Sequence, residues 1–306
     1  MAMNPTASAT DLRDGPNSEG TIADSMQEML CSGDLSDVHF AVGRQFGEVK
    51  DFHAHKCILA VRNPVFRAMF FGSLRENGDA AIDIPDMLPD AFANMLHFLY
   101  ADDVRNLTAD NLIPTLVCAD KYDVPRLIRI CSNFIANYLS VNNCLTMMEQ
   151  AVYWKADGVV QNCLDFVDAK TEAVLRSNEF TAISLTTLRM ILQRNTLTAE
   201  ENAVYLAVER WAVAACTGNF LDSSAVNRRQ MLDDTLFLVR FPLLTPSQLA
   251  DGPGQSGLLN EAEITSLFMH YHANAKPTAL GFRTERRIGL PKVVAPAFQP
   301  GEPVFA

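Results

Sequence analysis

The sequence predicts an α+β fold, with a small mixed sheet and flanking helices in the first part of the chain and helices alone in the second. Val38, Phe40 and Val42 alternate with other residues, as expected for a strand with one buried face. From Ser140 onward, apolar residues recur almost throughout at helical spacing. The 306 residues suit two domains better than one. We therefore divide the chain into a tail at 1–24, a mixed domain at 25–139, a helical domain at 140–276 and a tail at 277–306.

The first tail and the first helix differ in composition. Residues 1–23 are rich in Ser, Thr, Asn, Gly and Pro, so burial cannot offset the entropy of ordering them and we expect disorder. Met26, Met29 and Leu30 then share one face of a short helix. Such a short helix is marginal alone. We therefore expect the stripe to pack against a partner surface in a symmetric homodimer.

The other elements of the mixed domain follow in order. Residues 49–54 form a second strand that pairs with the first as a hairpin, and residues 56–61 form a buried helix. Asn63 and Pro64 start the next helix, because Asn can accept from a free backbone amide and Pro loses no bond at the first helical position. Residues 82–84 form a short strand. Further helices begin at Pro89 and Pro125, and Thr108 caps the helix between them, which runs to Tyr122.

The second domain is predicted to be entirely helical. Helices are expected at 141–154, 158–176, 185–193, 198–216 and 228–239. Gly158 and Gly218 are expected to separate helices. After Pro277 the chain is rich in Pro and Ala, and we expect a mostly disordered tail of which only a few residues dock onto the helices.

The composition disfavours several functional classes. A net charge of −11 and a pI near 5.0 argue against a nucleic-acid partner, because that binding rests on clustered Lys and Arg. No apolar run approaches the roughly 18 residues of a membrane span, and the polar N-terminus lacks a signal-peptide core. The cysteines number seven, and most fall in apolar runs where Cys packs as a small hydrophobe: Cys57, Cys118, Cys131, Cys144 and Cys163. We expect reduced thiols and a protein of the cytoplasm or nucleus without membrane contact.

Short stretches throughout the chain resemble known interaction modules. The mixed domain resembles the BTB (POZ) fold, in His53-x-His55-Lys56, Leu74-Arg75-Glu76, Ile82-x-Ile84-Pro85-Asp86, Phe98-Leu99-Tyr100 and residues 119–124. The helical domain resembles the BACK domain of ubiquitin-ligase adaptors, in residues 173–180, 203–211 and 238–245. Residues 249–258, 268–277 and 281–290 are similar to the BTB-BACK-PHR family of cullin-3 adaptors. The β-sandwich PHR domain of that family would be missing or truncated here.

The resemblance implies a binding site for cullin-3 after the third long helix. Leu74 would be the apolar anchor, and Glu76 would fix orientation through charge-assisted hydrogen bonds. Phe71 and Tyr122 would complete the site. The simpler alternative is an ordinary helix end with a solvated Glu76.

The resemblance also places Asp37 in the dimer interface together with the stripe of Met26, Met29 and Leu30. Asp37 would lie close to a basic residue of the first helices, such as Lys56 or Arg62. A desolvated ion pair there would set register more than it would add affinity. The alternative is a charge at a strand edge that discourages aggregation.

Two patterns could suggest bound groups, and each has a simpler explanation. His53 and His55 lie on one strand and could chelate a metal, but no fourth ligand lies nearby in sequence and the resembled fold uses this pattern as a strand-to-helix junction. Residues 252–257 spell GxGxxG, but a helical turn precedes them where a dinucleotide site needs a strand. Recognisable enzyme motifs are absent from the sequence. We predict no enzyme activity, no cofactor and no metal site.

The sequence thus predicts a substrate adaptor of a cullin-3 RING ubiquitin ligase. Its partners would be cullin-3, a second copy of the chain and a protein substrate that the sequence does not identify. Such an adaptor raises the local concentration of a captured target near the conjugating enzyme. The alternative is a non-ligase BTB scaffold or transcriptional co-regulator that recruits peptides through the dimer. Zinc fingers or a basic DNA-binding segment would favour it, and the sequence contains neither.

Overall fold

The computed structural model describes residues 20–72, 80–273 and 281–289. The chain divides into two compact units between Asn137 and Tyr138, next to the predicted boundary at 139. The first unit combines a small sheet with helices, and the described part of the second unit is helical. The predicted α+β class is therefore confirmed.

The described part of the chain up to Tyr138 contains three strands and six helices. The strands are β1 (Val38–Val42), β2 (Lys50–Ala54) and β3 (Ile82–Ile84). The helices are α1 (Ile22–Ser32), α2 (Lys56–Arg62), α3 (Pro64–Phe71), α4 (Pro89–Ala101), α5 (Leu112–Lys121) and α6 (Pro125–Tyr138). The helix that Thr108 was predicted to cap begins only at Leu112, because the Thr108 hydroxyl and carbonyl are held in a turn by the amides of Asn111 and Leu112.

The sheet has the order β2-β1-β3. β1 pairs antiparallel with β2, with Val38 opposite Ala54, and parallel with β3, with Phe40 opposite Ile82. Alternate residues of β1 are buried, which confirms the predicted half-buried strand. The pairing of β1 with a strand forty residues away has no local signal in the sequence.

The start and end of α3 have clear local causes. The Asn63 side chain accepts from the backbone amide of Phe66 at 3.0 Å, and Pro64 occupies the first turn. The helix ends at Gly72, where a Cβ atom would lie 2.3 Å from the carbonyl oxygen of Ala68. Gly72 has an extended backbone, so the close approach and not a left-handed turn requires glycine. These two ends position Phe71 at the last turn of the helix.

The described part of the second unit is built from nine further helices and short 3₁₀ turns. The helices are α7 (Cys144–Tyr153), α8 (Asp157–Ala169), α9 (Thr171–Arg176), α10 (Leu185–Gln193), α11 (Glu201–Gly218), α12 (Ala225–Leu232), α13 (Pro246–Asp251), α14 (Pro253–Ser256) and α15 (Glu261–His272). The 3₁₀ turns are Glu179–Ala182, Asp233–Leu238 and Phe241–Leu243. Gly158 lies inside α8 and not at a break, since the chain turns earlier, at Lys155 with its left-handed backbone.

Residues 281–289, which we call the strap, lie against the second unit. The strap's Phe282 ring packs edge-on against Phe241 with ring centroids 5.1 Å apart. The guanidinium of Arg287 pairs with Glu201 at 2.9 Å, and both side chains are nearly inaccessible to solvent. The strap is thus held by an aromatic contact and a buried ion pair.

Candidate protein-interaction surfaces

The end of α3 presents a large exposed aromatic side chain. Phe71 is 63% exposed, whereas its neighbour Phe70 is buried. The two rings meet edge-on with centroids 6.4 Å apart. Phe70 therefore packs against Phe71, and the rest of the Phe71 side chain remains accessible. Leu74 and Glu76, the other predicted contacts, lie outside the described residues. We call the exposed Phe71 at the last turn of α3 the α3-end surface.

Tyr122 is part of the core and not of this surface. Its ring stacks on Phe66 with centroids 4.9 Å apart and meets Phe92 edge-on. Its carbonyl accepts from the Asn63 side chain at 2.6 Å, and burial raises the pKa of its hydroxyl. The residue is only 3% exposed, which removes Tyr122 from the set of predicted surface contacts. Tyr122 packs against α3 through Phe66.

A second surface is an apolar groove of about 490 Å³ between α1, α2 and the end of α4. Its lining is mostly apolar: Ile22, Met26, Cys57, Ile58, Val61 and Leu99, with Arg62 and Asp102 at the edge. Val61 is 85% exposed, although an isolated domain gains nothing from presenting so much apolar side chain to water. We call this the α1–α2 groove.

The helix that carries the predicted dimer stripe forms one wall of this groove. Met26, Met29 and Leu30 are half-buried, and α1 has no fully buried residue. The helix is attached to α4 by the Gln27 amide, whose nitrogen lies 2.6 Å from Nδ1 of His97. Burial lowers the pKa of His97, so the neutral ring can accept from the amide. The stripe thus has a partial partner in its own chain and leaves apolar area unused.

Asp37 has a different local role from the predicted one. Its carboxylate accepts from the backbone amide of Lys56 at 2.7 Å and thereby caps the start of α2. Arg62, the other predicted partner, pairs with Asp102 at 2.5 Å. Within the chain, Asp37 thus caps a helix, and its place in the dimer interface stays a prediction.

The two histidines of the His-x-His pattern separate. The His53 ring stacks on His39 with centroids 4.4 Å apart, whereas His55 is buried. His55 Nε2 lies 2.7 Å from the Asp34 carbonyl and so donates, while Nδ1 lies 2.8 Å from the Tyr100 hydroxyl and accepts. Burial raises the pKa of Tyr100 to about 12, which keeps that donor protonated.

The described residues contain neither a candidate metal site nor a candidate membrane span. No group of three or more His, Cys, Asp or Glu side chains in residues 20–72, 80–273 and 281–289 is arranged to hold a metal ion. Over the same ranges, none of the helices combines the length and the hydropathy of a membrane span. The GxGxxG pattern lies in α14 and directly follows α13, so it lacks the strand that a dinucleotide site requires.

Helix α2 has an exposed face that differs from the prediction. The sequence predicts a buried helix, but only Leu59 and Ala60 are buried, and Cys57 is exposed and lines the groove. Residues 57–61 are all apolar, so hydrophobicity alone does not distinguish the buried face of α2 from its exposed face. The signal was present in the spacing, since Cys57, Ile58 and Val61 stand at positions i, i+1 and i+4, on one side of a helix.

Family models match both parts of the chain. A BTB/POZ domain model matches residues 26–139. A model described as BTB And C-terminal Kelch, known as BACK, matches residues 144–252. The chain belongs to the BTB-BACK family. The α3-end surface and the α1–α2 groove therefore lie on its BTB domain, and the strap lies beyond the matched part of its BACK domain.

Curated relatives are BTB/POZ domain-containing proteins. BTB/POZ domain-containing protein 3 of Mus musculus is 38% identical over 90% of this chain and 52% of its own length. The human protein of that name is 38% identical over 92% of this chain and 54% of its own. BTB/POZ domain-containing protein 6-A of Danio rerio is 40% identical over 86% and 48%. This BTB-BACK chain thus spans about half the length of the relatives it matches.

Proposed function

We propose that this BTB-BACK protein is a substrate adaptor of a cullin-3 RING ubiquitin ligase. It binds the N-terminal region of cullin-3 through the α3-end surface and dimerises through the α1–α2 groove. It works by positioning and not by catalysis, in the cytoplasm or nucleus. Two captured targets would be held near the conjugating machinery, which raises their local concentration.

The observation that carries the proposal is the exposed Phe71 at the end of α3 in a BTB domain. In the sequence, the Leu74-Arg75-Glu76 triplet follows it closely. An exposed aromatic supported by a packed neighbour is the kind of residue that supplies most of the energy of an interface. Phe71 contributes little burial to the fold, because 63% of it remains exposed. A carboxylate placed next to such an anchor adds orientation. Cullin-3 is the partner that the resemblance attaches to this arrangement.

A second copy of the chain is the proposed occupant of the α1–α2 groove. Two-fold symmetry allows the same apolar surface to serve both sides of an interface. Met26 and Val61 would then leave water together, and each buried side chain of this size contributes about 1.5–3 kcal/mol. The charged pair of Arg62 and Asp102 at the edge of the groove would remain at the rim of the interface.

Calorimetric titration with the cullin-3 N-terminal domain tests the proposal. Leu74→Asp should abolish measurable binding, because it would bury an unpartnered charge at a cost of several kcal/mol. Phe71→Ala should weaken binding by about 2 kcal/mol, as expected for an aromatic anchor. Glu76→Ala should have a smaller effect, since an orienting carboxylate is partly replaced by water.

Val226→Asp is the matched control, since Val226 is an exposed apolar residue of α12. This variant should bind like the unmodified chain. If Leu74→Asp and Phe71→Ala bind cullin-3 as tightly as Val226→Asp, the α3-end surface is not the cullin site. If the unmodified chain shows no heat of binding, the adaptor function itself is rejected and the non-ligase scaffold becomes the better account.

A further inference from the structure

The BACK domain has a groove of about 760 Å³ along α11 that neither proposed interface uses. Its walls come from the 3₁₀ turn at Glu179–Ala182, the start of α10 and the end of α12. The residues that matter below are Ile183, Trp211, Ala215, Gly218, Met231 and Asp233. We call it the α11 groove. Its volume is in the range of sites that accept a few side chains of a ligand.

The floor of the α11 groove is open because α11 carries small residues there. Ala214, Ala215 and Gly218 line it and lie on neighbouring positions of the helix. Gly218 is the last residue of α11, and a Cβ atom there would meet no heavy atom within 4 Å.

One wall is rigid and the other is adaptable. The indole nitrogen of Trp211 donates to the Ile183 carbonyl at 2.8 Å, which fixes the ring and the turn against each other. Across the groove, Met231 has a flexible and polarizable side chain that can reshape around an apolar guest. Trp211 and Ile183 thus form a fixed part of the groove, whereas the Met231 side chain can change its conformation around a bound apolar group.

The rim of the groove carries excess negative charge. Asp233 lines the groove, and Asp233 and Asp234 are each 4.0 Å from the only cation paired with them among the described residues, Arg189. The Glu149 carboxylate also accepts from the backbone amide of the lining residue Ser184 at 2.8 Å. Two carboxylates thus share one guanidinium, and a third is bound to the backbone of a lining residue. An apolar groove with such a rim is complementary to apolar side chains flanked by Lys or Arg.

We propose that the α11 groove binds a short segment of a partner protein in which one or two apolar side chains are flanked by basic residues. The apolar side chains lie on the floor beside Gly218 and under Met231, and the basic side chains reach Asp233 and Asp234. Such a site gives an adaptor a place to capture its target. It requires no cullin and no dimer, so its failure would leave the proposed ligase function intact.

Selection from a phage-displayed library of random dodecamer peptides tests the inference. The full chain is the bait, and the Gly218→Leu chain is used for counter-selection because leucine would fill the floor. The enriched peptides should share an apolar residue flanked by Lys or Arg. Absence of enrichment, or enrichment of acidic sequences, would overturn the proposal.

A synthetic peptide from the enriched set is then titrated into matched variants. Gly218→Leu should weaken binding at least about tenfold, a change of about 1.4 kcal/mol. Gly158→Leu is the control, because Gly158 also lies in a helix with open space around its Cβ position. That variant should bind normally. Equal affinity of both variants would place the peptide elsewhere and overturn the proposal.

The rim is tested separately, so the test survives if Gly218→Leu does not fold. Asp233→Asn combined with Asp234→Asn should weaken binding roughly threefold and reduce its sensitivity to salt. Both carboxylates are largely exposed, so this change spares the core. If the rim variant binds with unchanged affinity and unchanged salt dependence, or if Gly218→Leu changes self-association instead of peptide binding, the basic-apolar segment is not the occupant.

Discussion

The two domains are stabilised by different kinds of buried residue. Among the described residues of the BTB unit, none of the buried side chains is Asp, Glu, Lys or Arg, and the core is an aromatic cluster around Phe40, Phe66 and Phe92. The BACK unit buries Asp168, Glu201 and Arg240 in addition to its apolar core. The BTB core is therefore specified by shape, whereas the BACK core also depends on charges that must meet their partners.

The buried charges of the BACK domain join segments that are far apart in the chain. Glu201 at the start of α11 accepts from Arg287 of the strap and from the backbone amide of Arg240 at 2.9 Å each. Asp168 on α8 accepts from Arg194 and from the Thr196 hydroxyl in the connection that follows α10. Because an unpaired buried charge is strongly unfavourable, these pairs select which segments pack together.

The largest expected effect of a single change lies in the BTB core. Phe66 is fully buried and contacts Phe40, Phe70 and Tyr122. Phe66→Ala should lower the free energy of unfolding by about 4 kcal/mol, the sum of lost burial and a residual cavity. Circular dichroism follows the whole chain, while Trp154 and Trp211, the two tryptophans, report on the BACK unit alone. If the unfolding midpoints from circular dichroism and from Trp fluorescence shift equally, the two units do not differ in their dependence on Phe66.

The corresponding change in the BACK domain removes a charge without changing shape. Glu201→Gln should destabilise this domain by about 3 kcal/mol, because it leaves Arg287 buried without a counterion. Trp fluorescence during urea unfolding measures the effect. The neighbouring Glu200 is exposed, and Glu200→Gln should change the midpoint little. A similarly small shift for Glu201→Gln would show that the strap is not held by its ion pair.

A smaller and pH-dependent effect is expected at Glu263. Arg229 donates to both carboxylate oxygens at 2.8 and 2.7 Å, and these bonds lower the pKa of Glu263 below its usual 4.5. A carboxyl group whose pKa is lower in the folded state stabilises the fold at any pH above its unfolded-state pKa. This stabilisation is lost as the pH falls through the folded-state pKa. Glu263→Gln should therefore cost about 1 kcal/mol at pH 7.

The difference between Glu263→Gln and the unmodified chain should shrink once the pH falls below about 4.5, the ordinary pKa of this group. Urea unfolding followed by Trp fluorescence at pH 7, 5 and 3.5 measures it. Gln at this position can still complete the helix-capping arrangement with Asn260. A difference that persists undiminished at pH 3.5 would show that the ion pair contributes nothing.

Features that depend on neighbouring residues could be predicted from the sequence, whereas features that depend on distant residues could not. Local signals were sufficient for the cap at Asn63 and for the alternating strand β1, because each depends on neighbours in the chain. Burial of Tyr122 was not predictable, since an apolar run does not say which face meets the core. The exposure of Cys57 was overlooked, although the spacing of Cys57, Ile58 and Val61 places them on one side of α2. The pair of Arg287 and Glu201 joins residues 86 positions apart and leaves no local pattern. Interaction surfaces and long-range ion pairs therefore required the structure.

The central claim is that the BTB domain presents two surfaces at once, one for its own copy and one for cullin-3. Light scattering coupled to size-exclusion chromatography measures both in one experiment. The chain alone should have about twice its mass of 33.8 kDa. With excess cullin-3 N-terminal domain, the complex should contain two chains and two cullin domains. A mass of one chain that does not increase when cullin-3 is added would contradict the account.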